Sequence, residues 1–132
     1  MKTFLDSGVL MCGWKGEPAA RAAALTFMAD DRRQFFTSAI VKLELLPKAH
    51  YHRQRQELDF YNSHFAQAGE AHLSLELEKK AGDLAQRYGL AAADALNVSA
   101  AILLEAAEFV TSELPGKPIF RVREIKVISL HQ

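Results

Sequence analysis

Cysteine is almost missing from this chain of 132 residues, and the lone Cys12 cannot form an internal bridge. A disulfide-stapled secreted scaffold is therefore excluded, and a reducing compartment is expected. Net charge is missing as well: 16 Lys plus Arg stand against 16 Asp plus Glu, with histidines neutral. That balance argues against a domain that coats nucleic acid by bulk attraction, although it leaves local charge open. No apolar run is long enough to span a membrane. The longest, Leu90 to Val110, is interrupted by Asp94, Asn97, Glu105 and Glu108, whereas a span needs about 20 nearly uncharged residues. Asp6 falls where an export signal would need its hydrophobic stretch, so a cytoplasmic protein is expected. No glycine-rich phosphate loop, internal repeat or low-complexity tract is present.

The chain does have the composition of an ordinary soluble domain, 49% hydrophobic and 24% charged. Its length suits a single domain over residues 1–132 that can bury a core without staples. Thr3-Phe4-Leu5 reads as a buried strand, and turn and cap chemistry begins at Asp6-Ser7-Gly8. Pro18 opens an Ala-rich helix to Met28. Gln34-Phe35-Phe36 reads as a second strand, after which Thr37 and Ser38 can cap a helix from Ala39 to Leu46 that ends at Pro47. Tyr51, Leu58, Tyr61 and Phe65 form an amphipathic stripe over 50–68, stopped by Gly69. Ala71-His72-Leu73 reads as a brief strand. A helix is predicted from Leu75 to Tyr88, closed by Gly89, and another from Ala92 to Ala107. Glu108 to Thr111 and Ile125 to Leu130 read as the last strands, separated by a loop marked by Pro115, Gly116 and Pro118. Short strands alternating with helices indicate an α/β domain with a mainly parallel sheet.

Ligands of such sheets bind beyond the carboxyl ends of the strands. The first strand delivers Asp6 there, and the strand ending at Thr111 delivers Glu113. Asp94 in the first turn of the central helix and Glu44 two turns into the helix after the second strand can point to the same edge. Carboxylates that converge repel one another and are driven towards protonation unless a cation neutralises them. Hard divalent ions with oxygen ligands, Mg²⁺ or Mn²⁺, are the natural occupants. Taken singly, each acid also has an ordinary reading: Asp6 as a helix cap, Asp94 as an anion at a helix N-terminus, Glu44 on a solvated face and Glu113 in a loop. Asp94 departs furthest from that reading, because it is the one charge within Ala91-Ala92-Ala93-Asp94-Ala95-Leu96.

Four segments together resemble the PIN domain, an α/β nuclease fold common among bacterial toxins of the VapC type. They are Phe4-Leu5-Asp6-Ser7-Gly8-Val9-Leu10, Thr37-Ser38-Ala39-Ile40-Val41-Lys42-Leu43-Glu44-Leu45, Ala91-Ala92-Ala93-Asp94-Ala95-Leu96 and Phe109-Val110-Thr111-Ser112-Glu113. The resemblance implies a PIN-like three-layer domain, a mainly parallel central sheet flanked by helices. It implies that Asp6, Glu44 and Asp94 bind metal, with Ser7 or Thr111 orienting them or their waters. At the fourth position the family usually carries Thr-x-Asp, whereas this chain has Thr111-Ser112-Glu113, a carboxylate on a longer stem. Leu114 to Pro118 replaces the short loop and aromatic that normally follow, and Phe120 is a candidate for that aromatic.

The chemistry expected from these residues is metal-dependent hydrolysis of RNA phosphodiester bonds. The candidate catalytic and metal-binding residues are Asp6, Glu44, Asp94 and Glu113, the last assisting a second ion or a water. Residues 42–55 hold Lys42, Lys48, Arg53 and Arg55 against Glu44, interleaved with His50, Tyr51 and His52. Lys48, Arg53 and Arg55 are candidate RNA contacts, with Tyr51 or Trp14 stacking on bases; a solvated helix face is the preferred reading of these cations, and packing is the preferred role for Tyr51. His50 and His52 point to different sides of a helix and Cys12 has no companion ligands, so neither zinc nor a cysteine nucleophile is expected. Ser38 and the histidines form no hydrolase triad by spacing. Two competing readings are a degenerate PIN fold that binds RNA or protein without cutting, and a phosphoacceptor signalling domain. The resemblance further implies a homodimer and a small antitoxin covering the acidic site. The stripe from Tyr51 to Phe65 could serve as its docking groove, but core is the preferred reading.

Overall fold

Helical crossovers return the chain to the same edge of a sheet, so strands that alternate with helices must pair in parallel. A computed structural model describing residues 1–131 shows that pattern throughout. The elements in order are β1 (Lys2–Leu5), α1 (Ser7–Lys15), α2 (Pro18–Met28), β2 (Gln34–Ser38), α3 (Ala39–Tyr51), α4 (Arg55–Gln67), β3 (Gly69–Ala71), α5 (Leu75–Tyr88), α6 (Ala92–Leu103), β4 (Glu108–Thr111), a 3₁₀ turn (Pro118–Arg121) and β5 (Lys126–Ser129). The sheet order is β3-β2-β1-β4-β5. Phe4 lies opposite Phe36 on one side and Phe109 on the other, and the Phe4 and Phe109 rings stack 5.4 Å apart.

Strand order and handedness together fix the layers. The chain steps outward from β1 to β2 to β3, then crosses back to β4 on the other side of β1. Right-handed crossovers therefore put α1 to α4 on one face and α5 and α6 on the other. The direction of winding reverses between β1 and β4, and that switch point opens a crevice beyond their carboxyl ends. Both strands are buried from Thr3 to Leu5 and from Glu108 to Thr111, so the crevice has a rigid floor. No described helix is long and apolar enough to cross a membrane.

At the amino end of these strands the sequence hid a charge. Glu108, 3% exposed, accepts from the Thr3 hydroxyl at 2.7 Å and from Arg33 Nε at 2.7 Å. Arg33 also pairs with Asp30 and lies over the Phe27 ring. A carboxylate removed from water is tolerated there because a guanidinium and a hydroxyl replace its hydration.

Several predicted boundaries move. Pro47 does not end α3, which continues to Tyr51. The missing Pro47 N–H would have bonded the carbonyl of Leu43, an exposed residue where water can take that bond, while Leu45 and Ala49 stay packed in the core. The stripe over 50–68 is broken between α3 and α4: Arg53 adopts a left-handed φ of 54°, and the Gln54 N–H closes on the Ala49 carbonyl at 2.9 Å. Tyr51 is consequently 82% exposed rather than packed, whereas Tyr61 and Phe65 are buried as expected. Glu105 repeats the device with φ 60°, ending α6 at Leu103 rather than Ala107. The brief strand lies at Gly69–Ala71, two residues before its predicted place, and Thr37 belongs to β2, leaving Ser38 alone as the cap of α3.

His64 on α4 is 1% exposed between the rings of Phe35 and Phe65, and neither of its nitrogens has a hydrogen-bond partner among the described residues. Burial pushes its pKa from 6.5 down to about 4. The folded state resists a proton that the unfolded chain accepts, so stability is complete above about pH 6.5 and falls as the pH drops towards 4, by up to on the order of 3 kcal/mol. His64→Leu should remove that acid loss. Chemical denaturation of both proteins at pH 7 and pH 4 measures it, and equal acid sensitivity of the two would contradict the assignment.

Candidate active site

Asp6 is the first residue beyond β1, and three local interactions fix it. Its N–H donates to the Val110 carbonyl of β4 at 3.0 Å, which pins it to the switch point. As the N-cap of α1, its Oδ1 accepts from the Ser7 N–H at 2.9 Å. The ordinary cap reading of Asp6 is thus correct and does not exclude a second role. Gly8 lets the first turn of α1 approach the segment after β4: a Cβ at that position would lie 2.1 Å from Ser112 Oγ and 3.2 Å from Ser112 Cβ.

Glu113 is held on the opposite side of the crevice. The Thr111 hydroxyl accepts the Glu113 N–H at 3.1 Å, and Ser129 at the end of β5 donates its hydroxyl to the Glu113 carbonyl at 2.7 Å. The backbone of Glu113 is therefore set by two strands while its half-buried side chain stays available.

Asn97 joins the remaining pieces. It is 1% exposed and one helical turn beyond Asp94 on α6. Its amide nitrogen donates to Glu44 Oε1 at 3.0 Å and to Asp6 Oδ1 at 3.3 Å, and its Oδ1 accepts from the Ser38 hydroxyl at 2.7 Å. The Ser38 oxygen in turn accepts from the Val41 N–H at 3.1 Å, capping α3. Reversing the amide would aim its oxygen at two carboxylates, so the network admits one orientation. Glu44 itself is exposed on α3.

Asp6 and Asp94 lie within electrostatic reach of each other and of both Glu44 and Glu113. Asp6, 8% exposed, is pushed from 3.8 to about 7, chiefly by burial, against the lowering effect of the Ser7 N–H and with further rises from Asp94, Glu44 and Glu113. Asp94 is also raised, by burial first and then by Glu113 and Glu44. Among the described residues no Lys, Arg or His forms an ion pair with any of the four. Their side chains are neighbours without forming a finished cage: no three His, Cys, Asp or Glu of the described residues are gathered tightly enough to hold an ion as they stand. The donors are nonetheless oxygen throughout and their charges uncompensated, which suits a hard divalent cation.

The basic candidates are dispersed. Lys48 lines a cleft of about 460 Å³ with Glu44, Trp14, Lys15, Glu57 and Tyr61. Arg53 and Arg55 border a different concavity with His50, in the turn between α3 and α4. Lys42 is paired with Glu70. Phe120 lies in the 3₁₀ turn, and Cys12 is half-buried on α1 with its thiol pushed up by burial.

Raised pKa values have a thermodynamic consequence. In metal-free protein the folded state holds a proton on Asp6 that the unfolded state has released, so between about pH 4 and pH 7 rising pH costs stability, up to on the order of 4 kcal/mol. Asp6→Asn keeps an oxygen for the Ser7 N–H and removes the charge. The stability difference between this variant and the parent should grow in favour of the variant from pH 4 to pH 7, as followed by chemical denaturation in chelator. A difference that does not vary with pH would mean that Asp6 titrates like an exposed carboxylate.

Known proteins share this architecture. The chain superposes on VapBC2 from Rickettsia felis, solved bound to a DNA fragment from its promoter, with a TM-score of 0.72 at 17% identity over 98% of each chain. VapBC-1 from nontypeable Haemophilus influenzae gives 0.71 at 15% identity over 100% of each, and a toxin–antitoxin complex from Klebsiella pneumoniae gives 0.69 at 18% over 97% of each. No curated protein sequence matched the chain. The profile of the PIN domain matches residues 3–113, which contain all four acids, β4 and all of β1 but Lys2, and the chain therefore belongs to the PIN domain family.

Proposed function

We propose that this chain is a divalent-metal-dependent endoribonuclease and the toxin of a VapBC-type toxin–antitoxin pair. One observation carries the proposal: Asp6, Glu44, Asp94 and Glu113 gather at the switch point with no basic partner among the described residues, and the last three raise the pKa of Asp6. In this reading Asp6, Glu44 and Asp94 would hold Mg²⁺ or Mn²⁺, and Glu113 would assist a second ion or a water. Such ions polarise a phosphoryl oxygen and lower the pKa of water.

The residues of the chain supply position. Asp6 is locked by Ser7 and Val110, so its outer oxygen has little freedom. Asn97 holds Glu44 towards Asp6 and restrains two carboxylates with one amide. Ser7 and Thr111 act through backbone geometry: the Ser7 N–H fixes Asp6 and the Thr111 hydroxyl fixes the turn carrying Glu113. Lys48, beside Glu44 in the same cleft, with Arg53 on the α3–α4 turn and Arg55 at the start of α4, would meet phosphates of the RNA.

The likeness to VapBC structures supports an antitoxin as partner, and a homodimer is proposed as the assembly that the resemblance to VapC-type toxins implies. A degenerate fold that binds RNA without cutting is the second reading, favoured by the lack of a finished cage among the described residues and by Glu113. Cleavage of single-stranded RNA with Mg²⁺ or Mn²⁺ separates the two. The parent protein should cut and EDTA should stop it, while Asp6→Asn and Asp94→Asn should each lose roughly a hundredfold or more, since even outer-shell partners of metal ligands cost about 10–100-fold. Undiminished cleavage in either variant would remove the metal-site assignment, and RNA binding without cleavage in either metal would establish the second reading.

A further inference from the structure

Arginine is concentrated in one place outside the acidic crevice. An open cleft of about 600 Å³ between the end of α5 and the 3₁₀ turn is lined by Arg87, Tyr88, Phe120, Arg121 and Arg123. Among the described residues one carboxylate, Glu124, is bound to these groups, and both its oxygens are engaged. Its Oε2 accepts from Arg87 Nη1 at 2.7 Å, and its Oε1 accepts from the Tyr88 hydroxyl at 2.5 Å and the Arg123 N–H at 3.2 Å. Glu124 therefore ties the cleft together and offsets one positive charge of three. Arg121 Nη1 donates to the Tyr88 carbonyl at 3.1 Å, which holds its guanidinium at the cleft. Among the described residues neither Arg121 nor Arg123 is paired with a carboxylate.

Arg121 alone could be explained as a cation closing the C-terminus of α5. That explanation, with the Glu124 pairing of Arg87 and Tyr88, still leaves the Arg123 guanidinium without a carboxylate partner among the described residues. Planar guanidinium groups match phosphate oxygens, and aromatic side chains stack on bases of any sequence. The chain limits how far the cleft can lie from the acids. Tyr88 precedes Asp94 by six residues, and six residues reach at most about 20 Å. A chain with no net charge that acts on a polyanion needs its positive charge gathered beside its acids rather than spread evenly.

We propose that the cleft of Arg87, Tyr88, Phe120, Arg121 and Arg123 is a second RNA contact, which grips the backbone of the single strand flanking the bond to be cut. This rests on the ribonuclease reading for its substrate, and it assigns the flanking contact to the α5 side rather than to residues 48–55 alone. Affinity for RNA longer than a few nucleotides then depends on Arg121 and Arg123, whereas cleavage of a very short RNA does not.

The full chain is tested in two assays. Binding of a labelled 20-nucleotide oligouridylate is followed by fluorescence anisotropy in EDTA across a salt series, for the parent, Arg121→Gln/Arg123→Gln and Arg53→Gln/Arg55→Gln. Cleavage of the 20-mer and of a tetranucleotide is followed in Mn²⁺. The Arg121/Arg123 variant should bind the 20-mer about tenfold more weakly, with the slope of log K against log salt reduced by about 1.4, or 0.7 for each lost phosphate contact. Its KM for the 20-mer should rise by a similar factor, with its tetranucleotide kinetics unchanged. Parental affinity and slope in that variant would overturn the proposal. So would an equal loss on the tetranucleotide, or unchanged RNA binding together with lost affinity for poly-glutamate, which would mark a protein-binding cleft. If Arg121→Gln unfolds the chain, Arg123→Gln alone should reduce the slope by about 0.7, and no change there would also overturn it. A parent that binds RNA but never cuts it would defeat the nuclease reading while the binding comparison still decides the cleft.

Discussion

A buried amide at Asn97 donates to Asp6 and Glu44 and accepts from Ser38, so one side chain joins β1, α3 and α6 at the carboxyl edge of the sheet. These elements come from both faces of the sheet, α3 from one and α6 from the other. Helix layers that pack through apolar contacts can slide by fractions of an ångström without much cost, whereas hydrogen bonds to charged oxygens are directional and costly to leave unmade. Asn97 therefore sets how far apart the two carboxylates sit. Ser38 extends the constraint along the chain, because the oxygen that caps α3 is also the donor that orients the amide.

The two ends of the same strands treat acids in opposite ways. At the amino end Glu108 is buried with Arg33 and Thr3 as partners, and the charge is compensated within the fold. At the carboxyl end Asp6 is nearly as buried and meets neutral donors and three further acids. A fold that needed only stability would have put a basic residue there too. The uncompensated edge costs folding free energy in the absence of a cation, and the same expense makes the edge receptive to one. Zero net charge for the chain hides this division, with acids gathered at the switch point and arginines beside α5.

Much of this was legible from the order of residues. Asp6, Asp94 and Glu113 could be placed at one edge because each follows or opens an element whose direction a parallel sheet dictates. Asp94 in particular is the lone charge in an apolar stretch, and burial did raise its pKa. Asn97 was seen only as an interruption of an apolar run, yet a buried amide three residues after a candidate ligand shares its helix face and needs partners. That signal was available. The ends of α3 and α6 were not, because Arg53 and Glu105 take left-handed conformations normally marked by glycine. The role of Gly8 was equally hidden, since it depends on contact with Ser112, more than 100 residues away in the chain.

Four separate acids at one edge of the sheet should make one cation site. A crystal structure of the full chain soaked in Mn²⁺, with anomalous scattering to locate the ions, addresses that directly. The prediction is Mn²⁺ coordinated by Asp6, Glu44 and Asp94 at the carboxyl ends of β1 and β4, with Glu113 turned towards it or towards a second ion. Mn²⁺ bound only elsewhere, or an edge whose carboxylates stay apart at saturating metal, would contradict the account.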